Sequence, residues 1–261
     1  NCLYSNTTGS NNTAVGVGTL YPNTTGSQNT AFGMSAMRLN TTGSNNSAFG
    51  HNALYNNTTG SPNDAIGYQA LYSNTTGANN VAVGAYSMLS NTTGSDNVAF
   101  GTSALRTSTT GASNVAVGYQ ALFYNTANNN TAVGNGALQN NTTGTPNDAF
   151  GRQALYNNTT GVNNVAVGYS TLNTNSTGSY NVAVGISALN KNTASSNTAV
   201  GNAALFNNTT GTPNDAFGFG ALQSNTTGYQ NVAVGYSALA ANTIGWYNTA
   251  VGSNALSVNT T

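Results

Sequence analysis

The sequence predicts an all-β fold, a parallel β-solenoid of about fifteen 17-residue coils. The step Ala-[Val/Phe/Ile]-Gly occurs fifteen times, first at Ala14 and last at Ala250. Successive copies start 17 residues apart, except that the coils beginning at Ala116 and Ala183 are one residue shorter. A short unit repeated at a fixed period is typical of a stack in which each coil packs on its neighbours. We therefore predict a single repeat array over residues 1–261.

Each coil is predicted to contain two short strands and two turns. In the first strand, Val115 and Val117 share one face and Ala116 points to the other. A second strand is predicted through Ala121-Leu122. The Asn-Thr-Thr-Gly tract, as at 74–77, favours a turn, because Gly accepts positive φ and Asn can bond its own backbone. Helix is disfavoured, since Asn, Thr and Gly are poor helix formers.

The Asn of the Asn-Thr-Thr tract recurs in every coil except at Ser108. Coils stacked about 4.8 Å apart would place these side chains above one another. We predict that they form a hydrogen-bonded ladder, as Asn side chains do in cross-β assemblies. The alternative is N-glycosylation, because most of these tracts are sequons that would carry a row of glycans in a eukaryotic or viral secretory pathway. We favour the ladder.

Charged side chains are nearly absent, since the 261 residues include four Lys and Arg and four Asp, with zero net charge. This composition lacks the electrostatic footprint of a protein that binds nucleic acid or an anionic membrane. No apolar run approaches the roughly 20 residues of a membrane span. With so few basic residues, the chain also offers trypsin-like proteases few cleavage sites, which suits an exposed extracellular protein.

Both ends of the sequence fall within a repeat, at Asn1-Cys2-Leu3 and at Asn259-Thr260-Thr261. Because solenoids need terminal caps, we expect the chain to be an excerpt of a longer fibre protein. Each coil offers about two sizeable apolar side chains for burial, such as Val167 and Leu172, which is little for ordering 17 residues. We therefore expect an oligomer, with a monomeric stack as the alternative.

The strand motif, as at 80–84, 164–168, 181–185 and 231–235, resembles the YadA-like head repeat of trimeric autotransporter adhesins. The longer phrase Asn-Thr-Ala-Val-Gly-x-x-Ala-Leu-x-x-Asn-Thr-Thr-Gly is similar to repeats of phage tail fibres and large secreted fibre proteins. This resemblance covers essentially the whole chain. It implies a left-handed parallel β-roll, a homotrimer about one axis, and a role in attachment. The coil is longer than the usual adhesin-head repeat, and the basic neck that normally follows such a head is missing.

The predicted function is a structural and adhesive fibre segment, extracellular or on a cell or virion surface, that presents or spaces a binding tip. The expected partners are copies of itself and a host-surface glycan or protein, with no nucleic acid and no membrane span in this segment. One alternative is a self-assembling extracellular filament, because uncapped coil edges favour end-to-end growth. Another is an ice-binding β-solenoid, because some β-solenoids present flat Thr arrays. The two adjacent Thr of each tract should point to opposite faces, however, which leaves at most one outward Thr row, and Tyr and Asn would roughen that surface.

No enzyme activity or cofactor is predicted. Cys2 and His51, the only residues of their types, lie three coils apart, and the acids and bases are scattered. Asp64, Asp148 and Asp215 each follow Pro-Asn. In a trimer, three copies of one Asp would meet near the axis and could hold a cation through oxygen ligands. The alternative is an Asp that caps the N–H groups of its own turn.

Exposed aromatic side chains are the candidate ligand contacts. One set follows the Gly of the strand motif, and a separate pair forms the least repetitive aromatic patch. Rings in these places stack on sugars or pack at solenoid corners and between protomers, and both alternatives stay open. The candidates are Tyr68, Tyr119, Tyr169, Tyr236, Trp246 and Tyr247.

Overall fold

The structure, a computed structural model, describes residues 1–261 and contains fifteen short β-strands. It has no helix that is long and apolar enough to cross a membrane. The chain divides into two compact units, Asn1–Asn129 and Asn130–Thr261. The strands of the first unit are β1 (Thr13–Val15), β2 (Thr30–Phe32), β3 (Ser47–Phe49), β4 (Asn63–Ile66), β5 (Asn80–Val83), β6 (Val98–Phe100) and β7 (Val115–Val117). Those of the second are β8 (Asn130–Val133), β9 (Asn147–Phe150), β10 (Asn164–Val167), β11 (Val182–Val184), β12 (Thr198–Val200), β13 (Asn214–Phe217), β14 (Asn231–Val234) and β15 (Thr249–Val251).

Within each unit, every strand pairs in parallel with the next strand along the chain, so that equivalent coil positions face each other. Ala82 pairs with Ala99 in the first unit. In the second unit, β11 and β12 keep this register although Ala183 and Ala199 are only 16 residues apart. The missing residue falls in the turn at 192–194, where it does not disturb the strands. The predicted parallel β-solenoid of about fifteen 17-residue coils is confirmed.

The strand residues alternate between two faces as predicted, but the inward face carries Ala and the outward face carries the larger residues. We number coil positions from the Asn that precedes the strand motif, so Asn80 is position 1 and Asp96 is position 17. Ala116, at position 3, is fully buried between Val115 and Val117. The expectation that Val167 is buried is wrong, because this position 4 side chain is 37% exposed. Successive strand residues point to opposite faces, so an inward Ala turns both of its neighbours outward.

The predicted second strand at Ala121-Leu122 is wrong, since residues 119–124 form a turn. Gln120 and Leu122 have φ values of 55° and 51°. These left-handed residues bend the chain, yet Ala121 and Leu122 still enter the core and are fully buried. In every coil the second left-handed site, position 9, is Leu or Met. A β-branched residue would be strongly strained there, because its extra branch crowds the backbone at positive φ.

Two buried rows of Asn fill the rest of the interior and confirm the predicted ladder. The turn Asn ladder, at position 12, joins neighbouring coils, as where Asn40 Nδ2 donates to Asn23 Oδ1 at 2.8 Å. Asn40 also donates to the Gly43 carbonyl at 2.9 Å. The strand Asn ladder, at position 1, closes the coil, because Asn29 Nδ2 reaches the same Gly43 carbonyl at 2.9 Å. Amide groups that fill a dry interior in this way are fully hydrogen-bonded and therefore tolerated.

The turn Asn ladder is interrupted once in each unit at an identifiable sequence change. In the first unit, the buried Ser108 Oγ and Asn91 Oδ1 both have no hydrogen-bond partner. Ser is too short to reach the oxygen that an Asn at this position would meet. In the second unit, Asn175 Oδ1 is unpaired. Asn192, in the shortened turn, keeps the bond to its own turn through the Ala194 carbonyl but does not donate to Asn175. Both breaks leave the strand pairing intact.

Candidate functional site

The outward residues at position 4 form a row of apolar side chains along each unit, here called the apolar row. Phe100, for example, is 43% exposed, and the rings of Phe32 and Phe49 stack with centroids 5.3 Å apart. Reasoning from sequence missed this surface, although the alternation of Ala with larger residues was a usable signal. The row comprises Val15, Phe32, Phe49, Ile66, Val83, Phe100 and Val117 in the first unit, and Val133, Phe150, Val167, Val184, Val200, Phe217, Val234 and Val251 in the second.

Asp64, Asp148 and Asp215 lie at position 2, exposed on the same strand face as the apolar row. None of their carboxylates makes a hydrogen bond or ion pair within the chain, so the turn-capping alternative is not found. Pro62 precedes the first of them at position 17, where a left-handed residue such as Asn79 sits in most coils. Proline cannot adopt that φ, and the Ser61–Pro62 peptide bond is cis.

The predicted cation site would need several copies of one Asp. A small open groove of about 120 Å³ lies beside Asp64, lined also by Pro62, Asn79 and Val81. No three His, Cys, Asp or Glu side chains lie together in the chain. One chain therefore supplies a single carboxylate at each of these positions, and the axial cation site stays a prediction about an assembly.

The aromatic residues that follow the strand motif are exposed at position 6. Several of them contact a neighbouring coil, because His51 stacks on Tyr68 at 5.4 Å and Phe219 stacks on Tyr236 at 5.3 Å. The rings thus stabilise the stack along one edge and still present open surface. The exposed predicted residues of this set are Tyr68, Tyr119, Tyr169 and Tyr236.

Trp246 and Tyr247 are also exposed, and the structure adds a third ring to them. Tyr229, one coil earlier, stacks on Trp246 with centroids 5.8 Å apart and planes 2° from parallel. Tyr247 meets both rings edge-on, at 5.7 Å from Tyr229 and 5.3 Å from Trp246. We call Tyr229, Trp246 and Tyr247 the aromatic cluster. Sequence reasoning missed Tyr229, although its separation of 17 residues from Trp246 was the available signal.

All four basic side chains lie over aromatic rings. A cation above a ring face is attracted by the negative potential of that face. None of the four forms an ion pair, so they contribute to the packing of neighbouring coils and leave no free cationic patch for an anionic ligand. The pairs are Arg38 over Tyr21, Arg106 over Tyr86 and Phe123, Arg152 over Tyr169, and Lys191 over Phe206, at 5.1–5.7 Å.

The two Thr of each tract differ in environment. Thr58 is half-buried, and its hydroxyl donates to the Thr75 carbonyl at 3.1 Å. Thr59 is exposed, and its hydroxyl makes no hydrogen bond within the chain. Position 14 therefore supplies the single outward Thr row that the sequence predicts, which is continuous in the first unit at Thr8, Thr25, Thr42, Thr59, Thr76, Thr93 and Thr110.

From Asn23 to Asn242, the Asn of the Asn-Thr-Thr tracts is buried and not available for glycosylation in the folded coil. Asn74 is fully buried, and its Nδ2 donates to Asn57 Oδ1 at 2.8 Å and to the Gly77 carbonyl at 3.0 Å. A glycan attached to this nitrogen would displace both bonds and would find no space in the interior. The turn Asn ladder and a row of glycans at these positions are therefore incompatible.

The chain matches no protein-family model, no curated protein and no solved structure. Function must therefore be inferred from the surface, which offers the apolar row, the Thr row and the exposed aromatic residues.

Proposed function

We propose that this chain is a structural and adhesive segment of an extracellular fibre, in which three copies associate about one axis through the apolar row. The observation that carries the proposal is the in-register line of exposed and half-buried Val, Phe and Ile on the strand face of each unit. Scattered exposed apolar residues are normal on proteins, but a continuous patch typically marks an interaction surface.

The thin interior also favours association. Each coil buries few apolar atoms. In the coil of residues 97–113, the only fully buried apolar side chains are Ala99, Ala104 and Leu105. Burying a large apolar side chain contributes about 1.5–3 kcal/mol, so covering even part of the apolar row in every coil adds appreciable stability. Three copies, and a left-handed β-roll, are the arrangement of the trimeric adhesins that the sequence resembles.

The extracellular and adhesive parts of the proposal are supported by the remaining surface. Most of it consists of neutral polar residues, and each of the four basic side chains lies over a ring. Such a surface gives trypsin-like proteases few accessible cleavage sites, as an exposed fibre requires. The exposed rings at positions 6, 16 and 17 are candidate contacts for a host-surface glycan or protein.

Light scattering on residues 1–261 tests the association. We expect the mass of three chains, and we expect the double variant Phe49→Asp/Phe100→Asp to be monomeric, because each carboxylate would lose water inside the interface. The natural Asp64 shows that the strand face accepts a carboxylate, so circular dichroism should be unchanged. The matched control is Thr59→Asp/Thr110→Asp, which places the same charges in the same two coils at the Thr row.

A monomeric wild-type chain, or a trimer unaffected by the Phe substitutions, would contradict the proposal. Growth without a defined end point would instead support the self-assembling filament.

A second candidate function is ice binding, favoured by the continuous Thr row of the first unit. Its seven exposed hydroxyls repeat at the coil spacing of about 4.8 Å. The row is only one Thr wide, because the hydroxyls at position 13, such as that of Thr58, bond to the next coil. Thermal hysteresis of the wild-type chain that Thr59→Asp/Thr110→Asp abolishes would establish this function, and its absence would eliminate it.

A further inference from the structure

The aromatic cluster occupies a turn whose backbone does not require aromatic residues. Position 16 holds Tyr229 and Trp246 in two successive coils, whereas other coils have Ser, Ala, Thr, Asn or Val there. Where Ser is present, its hydroxyl joins coils, as when the backbone N–H of Ser27 donates to Ser44 Oγ at 3.0 Å. Tyr229 and Trp246 cannot accept this bond. These two residues therefore replace a bond that the stack uses elsewhere.

The three rings remain accessible although they touch one another. Tyr229, Trp246 and Tyr247 are 38%, 57% and 62% exposed. If the rings only stabilised the contact between two neighbouring coils, most of each ring face would be buried. The stacked pair and the edge-on ring instead form an apolar surface spanning two coils.

Polar groups beside the rings are free to bind a ligand. The side-chain amide of Gln230 and the hydroxyl of Thr227 are exposed, and neither makes a hydrogen bond within the chain. No charged residue follows Asp215 in the sequence, so the cluster has no cation of its own for a sulfate or a carboxylate. Aromatic faces combined with neutral donors and acceptors match a neutral sugar, whose C–H face is apolar and whose rim carries hydroxyls.

We infer that the aromatic cluster is a binding site for a neutral oligosaccharide. A pyranose ring lies against the exposed face of Trp246 and is flanked by Tyr247, while Gln230 and Thr227 bond its hydroxyls. Tyr229, which stacks on Trp246, holds the indole in place. The site gives the adhesive part of the proposed function a ligand class and rests on that proposal for its biological setting. It does not depend on the number of chains in the assembly.

The fluorescence of Trp246 reports on this site directly, because the chain has one Trp. We expect saturable changes in emission on titration with cellohexaose or maltohexaose, with a dissociation constant on the order of 1 mM or tighter. A heparin hexasaccharide, which is anionic, should cause no such change. Tyr247→Ala should weaken binding of the neutral sugars at least about tenfold, and because Trp246 is retained, the same fluorescence measurement applies to this variant.

The matched control is Tyr180→Ala, which removes an exposed tyrosine from the same coil position 17 where no ring contact is present. It should leave the affinity unchanged. Trp246→Ser and Tyr229→Ser introduce the residue that many other coils carry at position 16, so both variants should fold normally. Isothermal titration calorimetry should show that neither variant binds the neutral sugars. Circular dichroism verifies the fold of each variant.

Absence of a saturable response to both neutral sugars would overturn the inference, as would equal affinity in the wild type and Tyr247→Ala. Preferential binding of the heparin hexasaccharide would overturn the ligand class. Light scattering on the same samples keeps the two proposals distinguishable. A trimer that binds no sugar contradicts only this inference, and a monomer that binds sugar contradicts only the fibre proposal.

Discussion

The interior and the outer surface of the coils follow different sequence rules. Inside, position 3 is Ala in all strands, position 9 is Leu or Met, and position 12 is Asn except at Ser108. Outside, position 6 holds residues as different as Met34, His51, Arg152 and Ile186. An interior side chain must fit closely packed surroundings and pair its polar atoms with few exceptions, whereas the surface imposes neither condition. Residue identity therefore varies from coil to coil mainly at the outward positions.

The largest effect is expected for Leu105→Ala, at the centre of a coil. Leu105 is fully buried, and its truncation leaves a cavity that the stacked backbone cannot close. We expect a loss of about 3 kcal/mol in the free energy of unfolding, measured by urea denaturation. In the same coil, Thr110→Ala removes an exposed hydroxyl without a partner and should change stability by less than about 0.5 kcal/mol. Similar losses in both variants would contradict the division between interior and surface.

A somewhat smaller effect is expected when the turn Asn ladder is broken. Asn57→Ala removes the donor to Asn40 Oδ1 at 2.9 Å and the acceptor for Asn74 Nδ2 at 2.8 Å, all inside the protein. Leaving such groups unpaired costs about 1–3 kcal/mol, and we expect about 2 kcal/mol from denaturation curves. The control is the adjacent Asn56→Ala, at an outward position. If Asn56→Ala lowered the free energy of unfolding as much as Asn57→Ala does, the loss could not be attributed to the hydrogen bonds of the turn Asn ladder.

The smallest effect, of opposite sign, is expected for repair of the ladder in the first unit. Ser108→Asn supplies an Nδ2 donor for Asn91 Oδ1, which is buried without a partner. We expect a gain of about 1 kcal/mol, visible as a higher melting temperature. Thr102→Asn in the same coil, at the exposed position 6 that holds Asn135 elsewhere, should not reproduce it. No gain at Ser108 would indicate that the gap is already satisfied by water.

The period of the sequence was sufficient to predict the stacked parallel strands, the opposite faces of Ala116 and its neighbours, and the turn Asn ladder, because each follows from local alternation or from register. It was not sufficient to predict the interior. Hydrophobicity favoured burial of Val167 over Ala166, but the coil is so narrow that only Ala fits beside the Asn side chains and the Gly carbonyls. The predicted strand at Leu122 failed because propensities do not anticipate a left-handed Leu.

The sequence was sufficient to predict the exposure of single residues of the candidate site, but not the contacts between them. The exposure of Trp246 and Tyr247 follows from their place in a turn. Their contact with Tyr229 requires the register, because residues 17 apart become neighbours only once coils stack. The apolar row and the free side chains of Gln230 and Thr227 required side-chain directions, which composition does not specify.

The Gly43 carbonyl and the Asn29 and Asn40 amides that meet it recur, with their own partners, in coil after coil. Apart from the coil of Ser108 and the two shortened coils, each coil presents the same donors and acceptors to its neighbours, so one coil can take the place of another. Duplication or loss of one of these equivalent coils by recombination within the gene would restore every hydrogen bond at the new junction. Natural variants of such a protein can therefore differ in length by whole repeats, and a coil that carries a useful turn can be copied or moved intact.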